Sequence, residues 1–139
     1  MSTNCLFCKI VSGAIPGELI ARDEHAVAFL DVNPLADGHV LVVPTRHAAL
    51  VEELTPESAA GVFRMVAKLA GPVRKAMKAA GTTIGVNDGT ITGQTVPHVH
   101  VHIVPRWQND GAGSIHSMFK VNPKLSVAEA GATIRSALG

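Results

Sequence analysis

Short apolar segments separated by turn-forming residues recur along most of the chain. β-Branched residues and alternating apolar and polar positions, bounded by Gly, Pro or Asp, predict strands. Five segments have these features, at residues 19–21, 26–30, 39–43, 82–86 and 97–105. An apolar segment at residues 6–12 is too short to distinguish a turn from a helix, and Gly13 to Gly17 end it. The pattern alone leaves the order of the strands in the sheet open.

One long segment has a helical period instead. Thr55 is a predicted N-cap, and Pro56 occupies the first helical position. Apolar residues then recur at three- and four-residue spacing up to Gly81 and define a core-facing stripe, formed by Val62, Val66, Leu69, Val73 and Met77. Because the stripe keeps its phase across Pro72, the pattern predicts one kinked helix and not two helices.

A C-terminal helix is predicted by Ser126 and Glu129, which have the spacing of a capping box. This helix would carry Val127, Ile134 and Leu138. Strands in a run, with a helix packed on one face, make an α+β protein. A chain of 139 residues has the usual size of one domain, so we expect a single domain over residues 1–139.

Composition narrows the classes of partner. Twelve basic and eleven acidic residues give a net charge of +1, which favours neither nucleic acid nor an anionic membrane as a partner. No apolar run approaches the roughly 18 residues that a membrane span needs. The first five residues, Met-Ser-Thr-Asn-Cys, do not begin a basic and then apolar leader. We therefore expect a cytoplasmic protein.

The last predicted strand carries the most informative pattern. Residues 97–105 read Pro-His-Val-His-Val-His-Ile-Val-Pro, with three of the chain's seven histidines in five residues. In an extended strand His98, His100 and His102 share one face, and the apolar residues between them face the core. Imidazoles can act as nucleophile, acid, base or metal ligand. The plainer alternative is a surface strand whose histidines have no role.

A catalytic zinc ion held by all three histidines is another alternative. Alternate positions 98 to 102 span roughly 13 Å along a strand. Ligands so far apart do not converge on one ion, because zinc bonds are about 2 Å long. The spacing therefore disfavours this arrangement.

Histidine alternating with hydrophobic residues resembles the signature of the histidine triad (HIT) superfamily of nucleotidyl hydrolases and transferases. Two further blocks support the resemblance, Gly-His-Val-Leu-Val-Val-Pro at residues 38–44 and Gly-Gln-Thr at residues 93–95. The resemblance implies the HIT fold, a five-stranded antiparallel sheet with one long helix and a C-terminal helix. It also implies a homodimer with one ten-stranded sheet, built through the long helix and residues 82–86.

The resemblance assigns the nucleophile to His100, with one ring nitrogen held by the main-chain carbonyl of His98. A neutral imidazole is a good nucleophile toward phosphorus near pH 7, so a histidine–AMP intermediate divides the displacement into two easier steps. His102 would stabilise the phosphoryl oxygens, His39 would be the supporting fourth histidine, and Thr95 would join the catalytic set. As an alternative, His39 is a buried histidine that only satisfies a backbone group.

A nucleotide pocket is also implied by the resemblance. Asp31 would accept hydrogen bonds from the ribose hydroxyls, and apolar side chains would enclose a purine base, although each of them could equally belong to the core. Asn87 and Thr95 would contact the phosphate, and Gln94 would fix a glycine-bearing loop that composition alone describes as an ordinary turn. The implied nucleotide-binding residues are Phe7, Ile10, Phe29, Asp31, Val32, Asn87, Gly93, Gln94, Thr95 and His102.

Two cysteines have the spacing of a zinc knuckle. Cys5 and Cys8 alone are a weak signal, and tetrahedral Zn²⁺ needs two further ligands. Similarity to bacterial-type HIT proteins implies that His47 and His98 complete the set. With four protein ligands the zinc would be structural, and catalysis would require no cofactor.

The resemblance leaves the leaving group open. Hint-like members cleave adenosine phosphoramidates to AMP and an amine, which we expect here, whereas Fhit-like members split dinucleoside polyphosphates. Residues 104–107, Val-Pro-Arg-Trp, look more like bacterial and Fhit-like members than like animal Hint proteins. Arg106 could meet a distal phosphate or be a solvated charge. A regulatory nucleotide-binding protein with little turnover is the remaining alternative.

Overall fold

A five-stranded antiparallel sheet forms the centre of the protein in the computed structural model, which describes residues 4–139. The strands are β1 (Leu19–Arg22), β2 (Ala26–Leu30), β3 (Val40–Pro44), β4 (Gly81–Gly85) and β5 (Val101–Arg106), in the order β1-β2-β3-β5-β4. The helices are α1 (Leu6–Ser12), α2 (Pro56–Ala76) and α3 (Val127–Leu138), and three short 3₁₀ turns lie at Val51–Glu53, Thr90–Thr92 and Ile115–Met118. The predicted α+β class and sheet are confirmed. The parts of our domain and leader predictions that concern residues 1–3 lie outside the described residues.

Both faces of the central strands are covered. On one face α2 packs over β2, β3 and β5, and its buried apolar side chains are those of Val62, Met65, Val66, Leu69 and Val73. On the other face α1 covers alternate residues of β2 and β3, namely Val27, Phe29, Leu41 and Val43. This double cover explains why β3 is buried at every position, without the alternation typical of a half-exposed strand. The site described below lies on the α1 face.

Helix α2 begins as predicted and ends earlier than predicted. The Thr55 side chain accepts a hydrogen bond from the backbone N–H of Ser58, and the helix continues through Pro72. It ends at Ala76 and not near Gly81, because the chain turns at Lys78, whose φ is 51°, to enter β4. Met77, expected in the buried stripe, is consequently 36% exposed.

Strand β5 is shorter than the histidine segment. It begins at Val101, so His98 and His100 precede it. The backbone before Val101 is bonded elsewhere, because the Val99 N–H donates to the carbonyl of Ala48 over 2.8 Å. The prediction of one strand over residues 97–105 was wrong for its first half, although the histidines still lie close together.

The C-terminal segment has the predicted cap. Ser126 and Glu129 form a reciprocal capping box at the start of α3. The apolar residues that the pattern placed on this helix are exposed, Val127 by 93%, Ile134 by 61% and Leu138 by 81%. Within residues 4–139, no helix is both long and apolar enough to cross a membrane.

Candidate functional site

His100 is held by the backbone of its own segment. Its Nδ1 lies 2.8 Å from the carbonyl oxygen of His98. A carbonyl can only accept, so Nδ1 carries the proton, and in the neutral ring the lone pair is on Nε2. His100 is buried, and its ring packs against that of His102 with centroids 5.0 Å apart. The arrangement presents an unprotonated imidazole nitrogen beside a second imidazole.

A chain of hydrogen bonds sets the proton positions on His39 and His102. The backbone N–H of Leu35 donates to His39 Nδ1 over 3.1 Å, so the proton of neutral His39 is on Nε2. His39 Nε2 lies 2.9 Å from His102 Nδ1 and donates to it. His102 Nε2 is then a donor, and it is buried without a hydrogen-bond partner among the described residues. A buried donor without a partner is costly unless a ligand supplies an acceptor.

Burial keeps these two imidazoles neutral. It lowers the pKa of His102 from 6.5 to about 4, with smaller contributions from neighbouring His100 and His39. Burial also lowers the pKa of His39, and the nearby Asp31 carboxylate opposes that effect. At neutral pH, His102 can therefore donate a hydrogen bond without carrying a charge.

A cavity of about 330 Å³ opens beside these histidines. Phe7 meets Phe29 edge to face at 5.4 Å and His100 at 5.0 Å, so its ring links the apolar wall to the histidines. The structure brings together around this cavity most of the predicted nucleotide-binding residues: Phe7, Ile10, Phe29, Asp31, Val32, Asn87, Gly93, Thr95 and His102. Val32 is 85% exposed and so lies at the rim, since it follows β2 in a loop.

Asp31 lies at the polar edge of the cavity. Its Oδ1 accepts a hydrogen bond from the backbone N–H of Asn33 over 2.9 Å, which orients the carboxylate. Its Oδ2 is 3.8 Å from His39 Nδ1. A partly exposed carboxylate held in this way can accept hydrogen bonds from neighbouring hydroxyl groups.

Gln94 holds the loop that lines one side of the cavity. It is buried, its Oε1 accepts from the backbone N–H of Gly89 over 2.8 Å, and its Nε2 donates to the carbonyl of Ala49 over 2.8 Å. Gly93 has a φ of 102°, which side chains of L-residues rarely tolerate. Gln94 therefore acts on the loop and not on the cavity directly, whereas Thr95 and Asn87 line the cavity.

The four predicted metal ligands form a compact cluster. His98 Nδ1 lies 3.3 Å from Cys5 Sγ, 3.5 Å from Cys8 Sγ and 3.2 Å from His47 Nδ1. Cys8 Sγ is also 3.3 Å from His47 Nδ1. The ligand atoms of tetrahedral Zn²⁺ are separated by about 3.3–3.8 Å, as calculated from the usual bond lengths. The donor set and its spacing fit zinc.

The hydrogen bond and the pKa of His98 also fit a role as a zinc ligand. Its Nε2 lies 3.0 Å from the carbonyl oxygen of Pro44 and donates to it, which leaves the Nδ1 lone pair directed at the cysteines. Burial lowers the pKa of His98 to about 4, so the ring is neutral at pH 7. Neutral imidazole is the form that binds metals.

Arg106 has a role that the sequence did not indicate. Its Nε and one Nη bind both carboxylate oxygens of Asp110, at 2.7 and 3.1 Å. The remaining N–H groups donate to Thr83 Oγ1 and to the carbonyls of Ala112 and Gly113, at 2.7–2.9 Å. All five donors of the guanidinium are therefore used. These contacts secure the loop after β5, and Arg106 does not line the cavity beside the histidines.

The functional groups that sequence reasoning missed are mostly backbone groups. The N–H of Leu35 and the carbonyl of Pro44 orient His39 and His98, respectively. Any residue except proline supplies an N–H, and every residue supplies a carbonyl. Residue type therefore gives no signal for these contacts.

Curated relatives match most of the chain. The Bacillus subtilis protein named "Protein hit" is 42% identical over 113 residues, which is 81% of this chain and 78% of that protein. An adenosine 5'-monophosphoramidase of Schizosaccharomyces pombe is 38% identical and matches 87% of this chain and 89% of its own length. An asymmetrical bis(5'-nucleosyl)-tetraphosphatase of the same yeast is 38% identical over 79% of this chain, which covers 59% of that enzyme.

Solved structures share the fold over nearly the whole chain. A HIT family protein from Bacillus anthracis superimposes with a TM-score of 0.84 at 35% identity, covering 99% of this chain and 96% of that one. A zinc-bound histidine triad family protein from Mycobacterium smegmatis gives a TM-score of 0.76 at 36% identity, covering 99% and 95%. The family model described as the HIT domain matches residues 12–109. The chain therefore belongs to the HIT family, as its histidine pattern predicted.

Proposed function

We propose that this protein is a nucleotidyl hydrolase or transferase that acts at the α-phosphate of a purine nucleotide, with an adenosine phosphoramidate as substrate. The observation that carries the proposal is the pair formed by the His100 Nε2 lone pair and the His102 Nε2 donor, which has no partner among the described residues. A nucleophile and a donor side by side can attack phosphorus and stabilise the charge that develops on its oxygens.

The reaction has two displacements. His100 Nε2 attacks the phosphorus, the P–N bond breaks with its electron pair on nitrogen, and the amine leaves after taking a proton from water. Water then attacks the phosphorus of the histidine–AMP intermediate and gives up a proton, which neutralises the hydroxide left by the first step. The bond to His100 breaks with its electron pair returning to Nε2, and AMP is released. His102 donates a hydrogen bond in both steps, and His39 holds it as a donor.

Of the two yeast relatives, one supports phosphoramidate hydrolysis and the other supports the alternative, hydrolysis of a dinucleoside polyphosphate. One is named a phosphoramidase and the other a dinucleoside tetraphosphatase. A tetraphosphate leaving group carries several negative charges, and Arg106, whose five donors are occupied, offers it no hydrogen bond. This observation favours the phosphoramidate. A regulatory protein with little turnover would bind AMP and release none from either substrate.

We further propose a structural zinc ion held by Cys5, Cys8, His47 and His98. When bound, the ion cross-links the start of α1 to the segment that carries the histidines. Four protein ligands leave no position for water or substrate, so no catalytic step uses the metal. The cluster geometry and the zinc-bound relative from Mycobacterium smegmatis support this site.

We further propose that two copies of this chain form a homodimer. Within residues 4–139, strand β4 pairs with β5 alone, so its other edge offers unpaired backbone groups to a second copy. Exposed apolar residues are frequent on the C-terminal segment, including Ile115, Met118, Phe119 and Val121. Covering such surface is a common reason for two-fold assembly.

The test is AMP release from an adenosine phosphoramidate by the wild-type protein and by His100→Ala. We expect the variant to lose activity while its affinity for AMP stays within about tenfold, because the nucleophile acts in the covalent step. Alkaline quenching during turnover should trap AMP on the His100 ring of the wild type, because the phosphorus–imidazole bond is labile in acid and survives in base. Activity of the variant above a few per cent of the wild-type rate would refute the covalent mechanism.

A further inference from the structure

Cys5 and Cys8 form a pair at the start of α1, and they are the two cysteines of the chain. Cys5 is the N-cap of the helix, and Cys8 lies in its first turn. The Cys8 N–H donates to Cys5 Sγ over 3.4 Å, and the two sulfurs lie within 4.8 Å of each other. Side-chain rotation and a small shift of the N-cap can close that separation to a bond. An intramolecular disulfide in this protein can therefore form only between these two residues.

The proposed zinc site would keep both cysteines in their reactive form. Zinc binds cysteine as the thiolate, and the thiolate is also the form that peroxides oxidise. Each sulfur lies 3.3 Å from a histidine nitrogen, Cys5 Sγ from His98 Nδ1 and Cys8 Sγ from His47 Nδ1. The site would thus hold two thiolates as neighbours, the arrangement in which oxidation ends as a disulfide.

A cavity of about 140 Å³ lies on the His47 side of the cluster. It is lined by His47 and by mostly polar residues around the start of α2. His47 is half-buried, whereas the other three ligands are buried. Outward rotation of the His47 ring would therefore open the sulfurs to a molecule as small as hydrogen peroxide, which the cavity can hold.

We propose that Cys5 and Cys8 are a reversible oxidation site, at which a peroxide joins the two sulfurs as a disulfide and so removes two of the four zinc ligands. The inference rests on the zinc site in the proposed function, and it is independent of the reaction at His100. Two imidazoles, those of His47 and His98, remain as ligands after oxidation. Two ligands do not complete the tetrahedral set that zinc needs, so the protein releases the metal.

The oxidation takes two electrons from the sulfurs and gives them to the O–O bond of the peroxide. One thiolate attacks a peroxide oxygen, the O–O bond breaks, and hydroxide leaves, so that this sulfur becomes a sulfenic acid. The second thiolate attacks that sulfur, the S–S bond forms, and a second hydroxide leaves. The charges balance, because two hydroxides replace two thiolates and the zinc ion keeps its charge. A thiol reductant reverses the change by exchange at the disulfide.

Oxidation would replace a long-range cross-link by a local one. Zinc would connect Cys8 to His47, 39 positions away, and Cys5 to His98, 93 positions away. The disulfide would connect residues only three positions apart. A cross-link that closes a short loop restricts the unfolded chain less than one that closes a long loop. Oxidised protein should therefore unfold several degrees below the zinc-loaded protein.

The test treats the zinc-loaded wild-type protein with a small molar excess of hydrogen peroxide. A chromogenic chelator follows zinc release, and maleimide labelling of denatured samples counts the remaining thiols. We expect one zinc ion to be released for every two thiols lost, at the same rate. Dithiothreitol with added zinc should then restore both thiols, the bound metal and Tm. Dithiothreitol does not reduce methionine sulfoxide under these conditions, so the recovery separates the cysteine pair from methionine oxidation.

Two variants separate the sulfur chemistry from metal binding. Cys8→Ser lacks the second sulfur, so oxidised Cys5 should persist as a sulfenic acid that dimedone traps, whereas the wild type should give little adduct. His47→Ala is the matched control, because it removes one zinc ligand and keeps both cysteines. It should still form the disulfide under peroxide. Far-UV circular dichroism checks that each variant is folded, and the wild-type thiol and zinc counts decide the question without either variant.

The outcomes separate this inference from the proposed function. Zinc that stays bound while peroxide oxidises the exposed Met118 overturns the oxidation site, as does zinc loss that leaves sulfinic acid or disulfides between chains. If the same reduced protein releases AMP from a phosphoramidate, the proposed hydrolase stands in either case. Protein that is isolated with reduced thiols and no zinc overturns the proposed zinc site and this inference together. Zinc-coupled disulfide formation in a protein that releases no AMP upholds the oxidation site and overturns the proposed reaction.

Discussion

Replacing the His39 side chain by that of leucine should slow AMP release while leaving nucleotide binding largely intact. In the wild type the His39 N–H donates to His102 Nδ1 over 2.9 Å and so keeps the other nitrogen of His102 protonated. Leucine would fill the space that the His39 ring occupies, but it has no hydrogen-bond donor for His102. The His102 ring would then be free to place its proton on the wrong nitrogen, and the phosphate oxygens would lose a hydrogen bond in the transition state.

Two known energetic costs bound the expected fall in kcat of His39→Leu. Removing one preorganised donor from an active site costs about 10²–10³ in kcat. Leaving a buried acceptor unpaired costs about 1–3 kcal/mol, which corresponds to roughly 5- to 150-fold. His39→Leu leaves the His102 donor in place but no longer fixed, so we expect kcat to fall by about 10- to 100-fold with KM within about threefold.

His39→Gln is the matched control, because the glutamine amide can still donate to His102. Single-turnover AMP release should recover to within about tenfold of the wild type in this variant. Urea unfolding of both variants separates a loss of stability from a loss of chemistry. Wild-type kcat in His39→Leu, or equal rates in the two variants, would refute the role of His39 as the donor that fixes His102.

Three other predictions concern metal, pH and assembly. Protein prepared without chelator should contain one zinc ion per chain by metal analysis, and the Cys8→Ser variant should contain none. Zinc removal should lower Tm by several degrees and leave most of the activity at low temperature. Native protein without zinc would contradict the proposed site. Burial lowers the pKa of His102 to about 4 in the folded protein, so this residue binds a proton more readily in the unfolded chain. The free energy of unfolding should therefore fall as pH falls from about 6.5 to about 4, by at most about 1.4 kcal/mol per pH unit for this group. Calorimetry of zinc-depleted protein should show a weaker dependence in His102→Asn, and an equal dependence would exclude His102 as the cause. Light scattering at micromolar concentration should give about twice the monomer mass of 14.5 kDa, and the monomer mass would reject the dimer.

The parts of the fold that follow a local rule could be predicted. Thr55 and Pro56 have the residue types of a helix start, and Ser126 with Glu129 has the spacing of a capping box, so both helix beginnings were predicted. The extent of β5 was not predictable in this way. Its start depends on the bond from Val99 to Ala48, which lies in a distant segment. Periodicity describes which face a residue takes and contains no information on its hydrogen-bond partner.

The candidate site, like the fold, has parts that could be predicted from the sequence and parts that could not. Side chains with distinctive chemistry, the cysteines and histidines, were found by spacing and resemblance, and the structure places them together. Arg106 was left ambiguous because Thr83 becomes its neighbour only through the pairing of β4 with β5, and Asp110 only through the turn of the chain after β5. Its charge is visible in the sequence, whereas the saturation of its donors is a property of the fold.

Helix α1 explains why loss of zinc should affect stability more than turnover. Two of the four proposed zinc ligands, Cys5 and Cys8, flank Phe7, whose ring lines the cavity beside the histidines and touches His100. That wall has other attachments: Phe7 is buried against Phe29, and the Arg22 guanidinium donates to the carbonyl of Val11 at the end of α1 over 2.7 Å. In metal-free protein that remains folded, these contacts keep Phe7 in place, so the cavity persists. The proposed zinc ion would therefore stabilise an arrangement that packing alone can maintain at low temperature.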